Sequence, residues 1–225
     1  MGAVSPLGIG ARTLYERWLA GQSGIEDGKG AASEFEPTDH LSIKEARRAD
    51  RFSQFAIVAG DEALAEAGWE PNGDKPYDSD RIGCVIGTGI GGINTLERGK
   101  EILMESGPKK VPPLSVPLMM SNAASGTLSL RYGLHGNSFG TVSACAAGAH
   151  AIGMAARLIQ AGDADAVVTG GSESALTPLS WSAFAALDAL SDTGISRPFD
   201  ARRDGFVMGE GAGILILEDE EKARE

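Results

Sequence analysis

Cysteine is nearly absent. The 225-residue chain has two, Cys84 and Cys145. Two thiols in a chain this long are no disulfide framework, so a reducing compartment is expected. Histidine is almost as rare, with His40, His135 and His150 as the full set, and no spacing among these and the cysteines matches a zinc site. No run of ~18 apolar residues exists to span a bilayer, and no cationic-plus-apolar leader opens the chain. A cytoplasmic protein with no membrane association is therefore expected. Excess positive charge is missing as well. The formal net charge is −11, which argues against a general nucleic-acid binder. Aromatics are few, with 7 Phe, 3 Tyr and 3 Trp.

Glycine, in contrast, is abundant at 31 residues. With 42% hydrophobic and 23% charged residues, the chain can bury a core. Small residues with few aromatics point to close helix–sheet packing and tight turns. Met1–Gly10 reads as a loop, Thr13–Leu19 as a short helix closed by Gly21, and Lys44–Gly68 as one longer helix. The leading end of that helix carries Lys44, Arg47, Arg48 and Arg51, which would oppose its dipole. A solvated face accounts for them, and so would an anionic docking partner. Pro71–Asp80 is a loop, Arg81–Gly87 a buried strand and Ile93–Met104 a helix. Leu114–Tyr132 is helical with interruptions at Pro117 and Gly126. Strands are expected over Ser138–Ala144, Ala164–Gly171 and Gly211–Glu218, with helices from Cys145 to about Ala161 and over Pro178–Leu190. A charged helix is expected to start after Glu218 and run to Glu225. Alternating strands and helices predict a layered α/β fold with helices on both faces of the sheet.

Two stretches carry chemistry. Cys145 ends a strand-like run, and a small-residue helix follows it at once. A thiol at a helix N-terminus faces free N–H groups and the positive end of the dipole, which favours the thiolate nucleophile. A small buried core thiol is an equal reading of that stretch alone. His150 lies five residues on, about 140° round the helix from Cys145, so it is a packed or hydrogen-bonded residue rather than the base. Nothing in the local sequence pairs His40 or His135. The second stretch, Gly87–Gly92, fits G-x-G-x-x-G after a strand and before a helix. A dinucleotide site needs a second parallel strand ending in an acid about 20 residues on. The chain instead reaches Pro108, Pro112 and Pro113. A tight turn that admits another backbone or an acyl chain fits better.

The collinear motifs Gly2–Gly8, Gly87–Gly92, Val142–Cys145 with Gly148–His150, Gly162–Asp165 with Gly170–Gly171, Ser196–Asp200 and Arg203–Gly213 span the chain. Together they resemble the N-terminal half of the β-ketoacyl-[acyl-carrier-protein] synthases, the elongating II type of fatty-acid synthesis. Ser143 stands where that family usually has Thr. The resemblance implies a thiolase-like layered α/β fold over residues 1–225, incomplete, with a first strand missing before Gly2 and the C-terminal half absent. It implies that Cys145 takes the acyl group as a thioester and that its own N–H forms half of an oxyanion hole. Ile90, as a gate, and Phe184 would wall the acyl pocket. Lys44, Arg47 and Arg48, with a second pair Lys109 and Lys110, would dock the acidic acyl carrier protein. No metal or organic cofactor is implied, since substrates arrive on the carrier's phosphopantetheine arm. A homodimer is implied for the full-length enzyme. Two histidines and a lysine that activate malonyl would belong to the absent half. This chain alone would then condense nothing and would expose an apolar face. A polyketide-type ketosynthase is the nearest alternative. A non-catalytic chain-length partner is another, disfavoured because such partners replace the nucleophile and Cys145 is retained.

Overall fold

The computed structural model describes residues 1–69, 73 and 75–224. Pro71, Asn72 and Asp74 of the expected loop, and Glu225 of the expected last helix, lie outside the described residues. Among the described residues one mixed sheet of six strands runs in the order β2-β1-β6-β5-β3-β4. The strands are β1 Gly2–Ser5, β2 Gly8–Ile9, β3 Ile82–Gly87, β4 Ser138–Thr141, β5 Ala166–Glu173 and β6 Gly211–Glu218. β3 is parallel to both β4 and β5, whereas β6 is antiparallel to β5 and to β1.

Every residue of β3 is buried because both faces of the sheet are covered there. Side chains alternate across a strand. Ile82, Cys84 and Ile86 therefore join the core beneath α3 (Arg51–Glu66) and α6 (Ala123–Tyr132), with Phe52, Phe55, Leu64 and Leu128. Val85 and Val167 point the other way, onto Ala151 and Ala155 of α7 (Ala147–Gln160). The small side chains of α7 let it lie close to the sheet. A Cβ on Gly87 would meet the Ala147 carbonyl oxygen at 2.2 Å, so only glycine fits at that crossing.

Several expectations are corrected. Met1–Gly10 is not a loop. Gly2, Ala3 and Val4 pair with Ile214, Gly213 and Ala212 of β6, and a hairpin returns as β2. β1 thus lies between β2 and β6 in the sheet. Lys44–Gly68 is two helices, α2 (Ile43–Ala46) and α3. Ser42 and Glu45 close a capping box on α2. Asp50 caps α3 and also accepts from the N–H and hydroxyl of Thr95, at 2.7 and 2.6 Å. Lys44, Arg47 and Arg48 therefore belong to α2 and the link after it, where Arg47 is the C-cap. Of the four cations only Arg51 lies in the first turn of the long helix and opposes its dipole. The break between α5 (Ser115–Met119) and α6 falls at Met120, not at Pro117 or Gly126. The Gly91–Gly92 turn docks there, where a Cβ on Gly92 would meet the Leu118 carbonyl oxygen at 2.2 Å. α1 (Ala11–Leu19) and α4 (Ile93–Ser106) form as expected, α8 (Pro178–Ala186) stops short of Leu190, and among the described residues only a 3₁₀ turn, Lys222–Arg224, follows β6.

Large apolar side chains stand exposed on several helices, among them Met104 of α4, Val116 of α5 and Leu130 of α6. Among the described residues no helix is long and apolar enough to cross a membrane.

Candidate active site

The register aligns three strand ends. Gly87 pairs with Thr141 of β4 on one side and with Gly171 of β5 on the other. The segments that leave these carboxyl ends therefore emerge together, the place where open α/β sheets bind ligands. A cavity of about 480 Å³ opens there, and Cys145, Ile90 and Phe184 all line it. Residues from Gly87 to Gly213 thus meet at one surface. Gly89, Glu173, Phe206 and Met208 complete much of the wall.

Cys145 stands just before the helix rather than in its first turn, since Ala146 is the N-cap of α7. The turn that presents it is tight. Ala144 adopts φ 52°, a left-handed conformation costly for a residue with a Cβ. The Ala146 N–H donates to the Ser143 carbonyl at 3.2 Å and the Ala147 N–H to that of Ala144 at 3.0 Å. The Thr141 hydroxyl donates to the Ala147 carbonyl at 2.8 Å. These bonds hold the turn outward, and Cys145 is exposed. A structural core thiol would be buried, as Cys84 is: burial pushes the Cys84 thiol up to about 12. The two thiols are therefore distinguished by their surroundings.

His150 points its Nδ1 at the Ser143 hydroxyl, 2.6 Å away, and so is a hydrogen-bonded helix residue that braces the cysteine turn. His135 does have a partner, Asp80 at 3.4 Å, in a solvent-exposed pair. His40 stacks on Phe35. Among the described residues no group of three His, Cys, Asp or Glu side chains is placed to hold a metal.

The Gly87–Gly92 turn is not a phosphate cradle. Its Gly89 and Ile90 N–H groups both donate to Oε2 of Glu173, at 2.6 and 3.1 Å. A protein carboxylate already takes the donors a phosphate would use. Ile90 is 43% exposed at the cavity. Phe184, also in the lining, meets Phe206 edge to face, with ring centroids 5.2 Å apart.

The basic residues lie elsewhere on the surface. Lys44 and Arg48 line a second depression of about 740 Å³ together with Arg131, while Arg47 is exposed. Lys109 and Lys110 are exposed on the 3₁₀ turn Pro108–Lys110. Among the described residues none of these five cations forms an ion pair with the protein itself.

Sequence reasoning missed Glu173, Phe206 and Met208 as cavity residues. Phe206 and Met208 lie inside a quoted motif whose role stayed unassigned. An acid closing the uncharged, glycine-containing strand Ala166–Glu173 was a legible signal for the third.

Comparison with known proteins adds a common pattern. The model of the β-ketoacyl synthase N-terminal domain matches residues 31–223. A 3-oxoacyl-[acyl-carrier-protein] synthase 2 from Staphylococcus aureus is 43% identical over the whole chain, which spans 57% of that relative's length. A β-ketoacyl synthase crystal structure from Burkholderia phymatum superposes with a TM-score of 0.82 at 30% identity, over 99% of this chain and 58% of the other. A type II polyketide ketosynthase, solved bound to a hexaketide and in complex with its acyl-carrier protein, superposes at 0.81 with 28% identity, over 99% and 57%.

Proposed function

The chain belongs to the β-ketoacyl synthase family through that family's N-terminal domain, and from that premise we propose that it carries the acyl-accepting site of a fatty-acid elongating condensing enzyme. The observation that carries the proposal is the convergence of Cys145, Ile90 and Phe184 on one largely apolar cavity. Such a cavity suits an acyl chain, and an exposed thiol at its wall suits covalent capture.

In the proposed first step the Cys145 sulfur attacks the thioester carbonyl of an acyl group on acyl carrier protein. The new S–C bond forms at Cys145, the carrier's C–S bond breaks, and the carrier thiol takes up the proton. The Cys145 N–H supplies one donor to the oxyanion. In the second step the carbanion equivalent of malonyl carrier protein attacks acyl-Cys145. The bond to the malonyl carboxylate breaks to release carbon dioxide, a C–C bond forms to the acyl carbon, the acyl–sulfur bond breaks, and Cys145 leaves as thiolate and takes a proton from water, giving a β-ketoacyl product two carbons longer. Groups that activate malonyl are assigned to no residue of this chain. No metal or organic cofactor takes part in this scheme.

Lys44, Arg47, Arg48, Lys109 and Lys110 dock the acidic carrier. With no ion pair among the described residues, they offer local positive charge on a chain of net charge −11, which favours steered encounter that weakens with salt. The enzyme acts in the cytoplasm as a homodimer. The fatty-acid reading is preferred to the polyketide one on the 43% identity to a 3-oxoacyl-[acyl-carrier-protein] synthase 2, against 28% to the polyketide ketosynthase.

Mass spectrometry after incubation with acyl-loaded carrier protein tests the first step. An acyl adduct is expected on Cys145 and not on Cys84, and none on the Cys145→Ala variant. Equal modification of both thiols, or none, would overturn the reading.

A further inference from the structure

One ionisable group in the cavity has no part in the chemistry above. Glu173 closes β5 and lines the same cavity as Cys145 and Ile90. Its Oε2 accepts both the Gly89 and the Ile90 N–H, while Oε1 is buried with no partner. Burial raises the Glu173 carboxyl above its ordinary value, and the two backbone N–H groups pull against that rise. A half-satisfied acid beside an apolar cavity is costly. What offsets the cost is the grip on the turn. The fit leaves little slack, because a Cβ on Gly89 would meet Glu173 Oε2 at 2.8 Å. Ile90 is 43% exposed, so packing alone does little to hold its side chain. Its place in the cavity wall is set by its backbone, and that backbone is held by Glu173.

The geometry points to Glu173 as a positioning residue that sets the acyl-chain selectivity of Cys145, by clamping the Gly89–Ile90 backbone so that Ile90 completes the apolar wall. The identity of the occupant, an acyl chain, rests on the function proposed above. The clamp itself does not, and its test needs neither carrier protein nor malonyl.

The rate of Cys145 alkylation is measured on the full chain with N-methylmaleimide and with N-decylmaleimide, each normalised to a free thiol. Cys84, which is buried, reports unfolding in the same spectra. The parent chain favours the decyl reagent, because the alkyl chain enters the cavity as the thiol adds. Glu173→Ala lowers the decyl-to-methyl ratio about fivefold, the factor of roughly one net hydrogen bond. Glu173→Gln keeps an acceptor for the two N–H groups and restores the ratio. Gly89→Ala attacks the same contact from the turn and lowers it as Ala at 173 does. Should Glu173→Ala expose Cys84, the Gly89→Ala variant decides. An unchanged ratio in either variant with Cys84 protected, or a Gln variant as impaired as the Ala one, overturns the assignment. A chain that shows this pattern yet takes no acyl group from carrier protein would lose the proposed function and keep the clamp.

Discussion

Removing the Glu210 side chain should destabilise the fold by about 3 kcal/mol, through the cation it leaves behind. Glu210 precedes β6 and its side chain is only 4% exposed. Its Oε1 accepts from Arg51 Nη2 at 2.8 Å and its Oε2 from Nε at 3.1 Å, a two-pronged pair. The same carboxylate accepts from the Ser174 hydroxyl at 2.8 Å and the Ala32 N–H at 3.2 Å. Arg51 also lies over the Phe55 ring, 4.7 Å from its centroid. Breaking a buried pair from one side costs about 3–5 kcal/mol. Arg51 keeps 31% side-chain exposure and can regain some water, so the low end applies to Glu210→Ala. With a urea slope of about 2 kcal/mol per molar, the unfolding midpoint should fall by about 1.5 M. Replacing both partners with Met removes the stranded charge as well as the pair. The double variant should therefore be more stable than Glu210→Ala alone and lie well short of the summed single losses. A midpoint shift below about 0.3 M for Glu210→Ala, or strict additivity in the cycle, would refute the reasoning.

Two further predictions concern stability. Arg81 and Lys222 hold the Asp165 carboxyl down at about 2. A carboxylate with a lowered folded value stabilises fully above its ordinary value near 4 and ceases to do so as pH falls through about 2. Because both cations are more than a third exposed, the effect is screened to about 1 kcal/mol. Urea midpoints of the parent and Asp165→Asn should differ at pH 7 and converge between pH 4 and 2; a gap that persists at pH 2 refutes the linkage. Gly87→Ala should cost about 1–3 kcal/mol by forcing a Cβ onto the Ala147 carbonyl, seen as a lower urea midpoint and faster Cys84 labelling. An unchanged midpoint would mean that α7 can move off the sheet at no cost.

The local sequence determined the elements that carry their own period. β3 and β6, with continuous apolar or alternating runs, and α4 and α1, with helical spacing and a glycine stop, fall within a residue or two of the pattern. Glycine content foretold a helix lying close on the sheet, and the order of motifs along the chain foretold the family. The tertiary structure decided the rest, because the deciding partners are distant in sequence. Gly2–Ser5 pairs locally with β2, but its place in the sheet comes from β6, more than two hundred positions away. α2 and α3 separate where Asp50 turns to Thr95, and Arg51 leaves the basic cluster for Glu210. The site itself follows the same rule. Cys145 was marked by its place between strand and helix, but its exposure is set by the strained turn at Ala144 and the brace from Thr141. Glu173 acquires its role only when parallel pairing of β3 and β5 carries it to Gly89, 84 residues distant. Periodicity records which face of an element is apolar; it does not record which distant donor a buried carboxylate will meet.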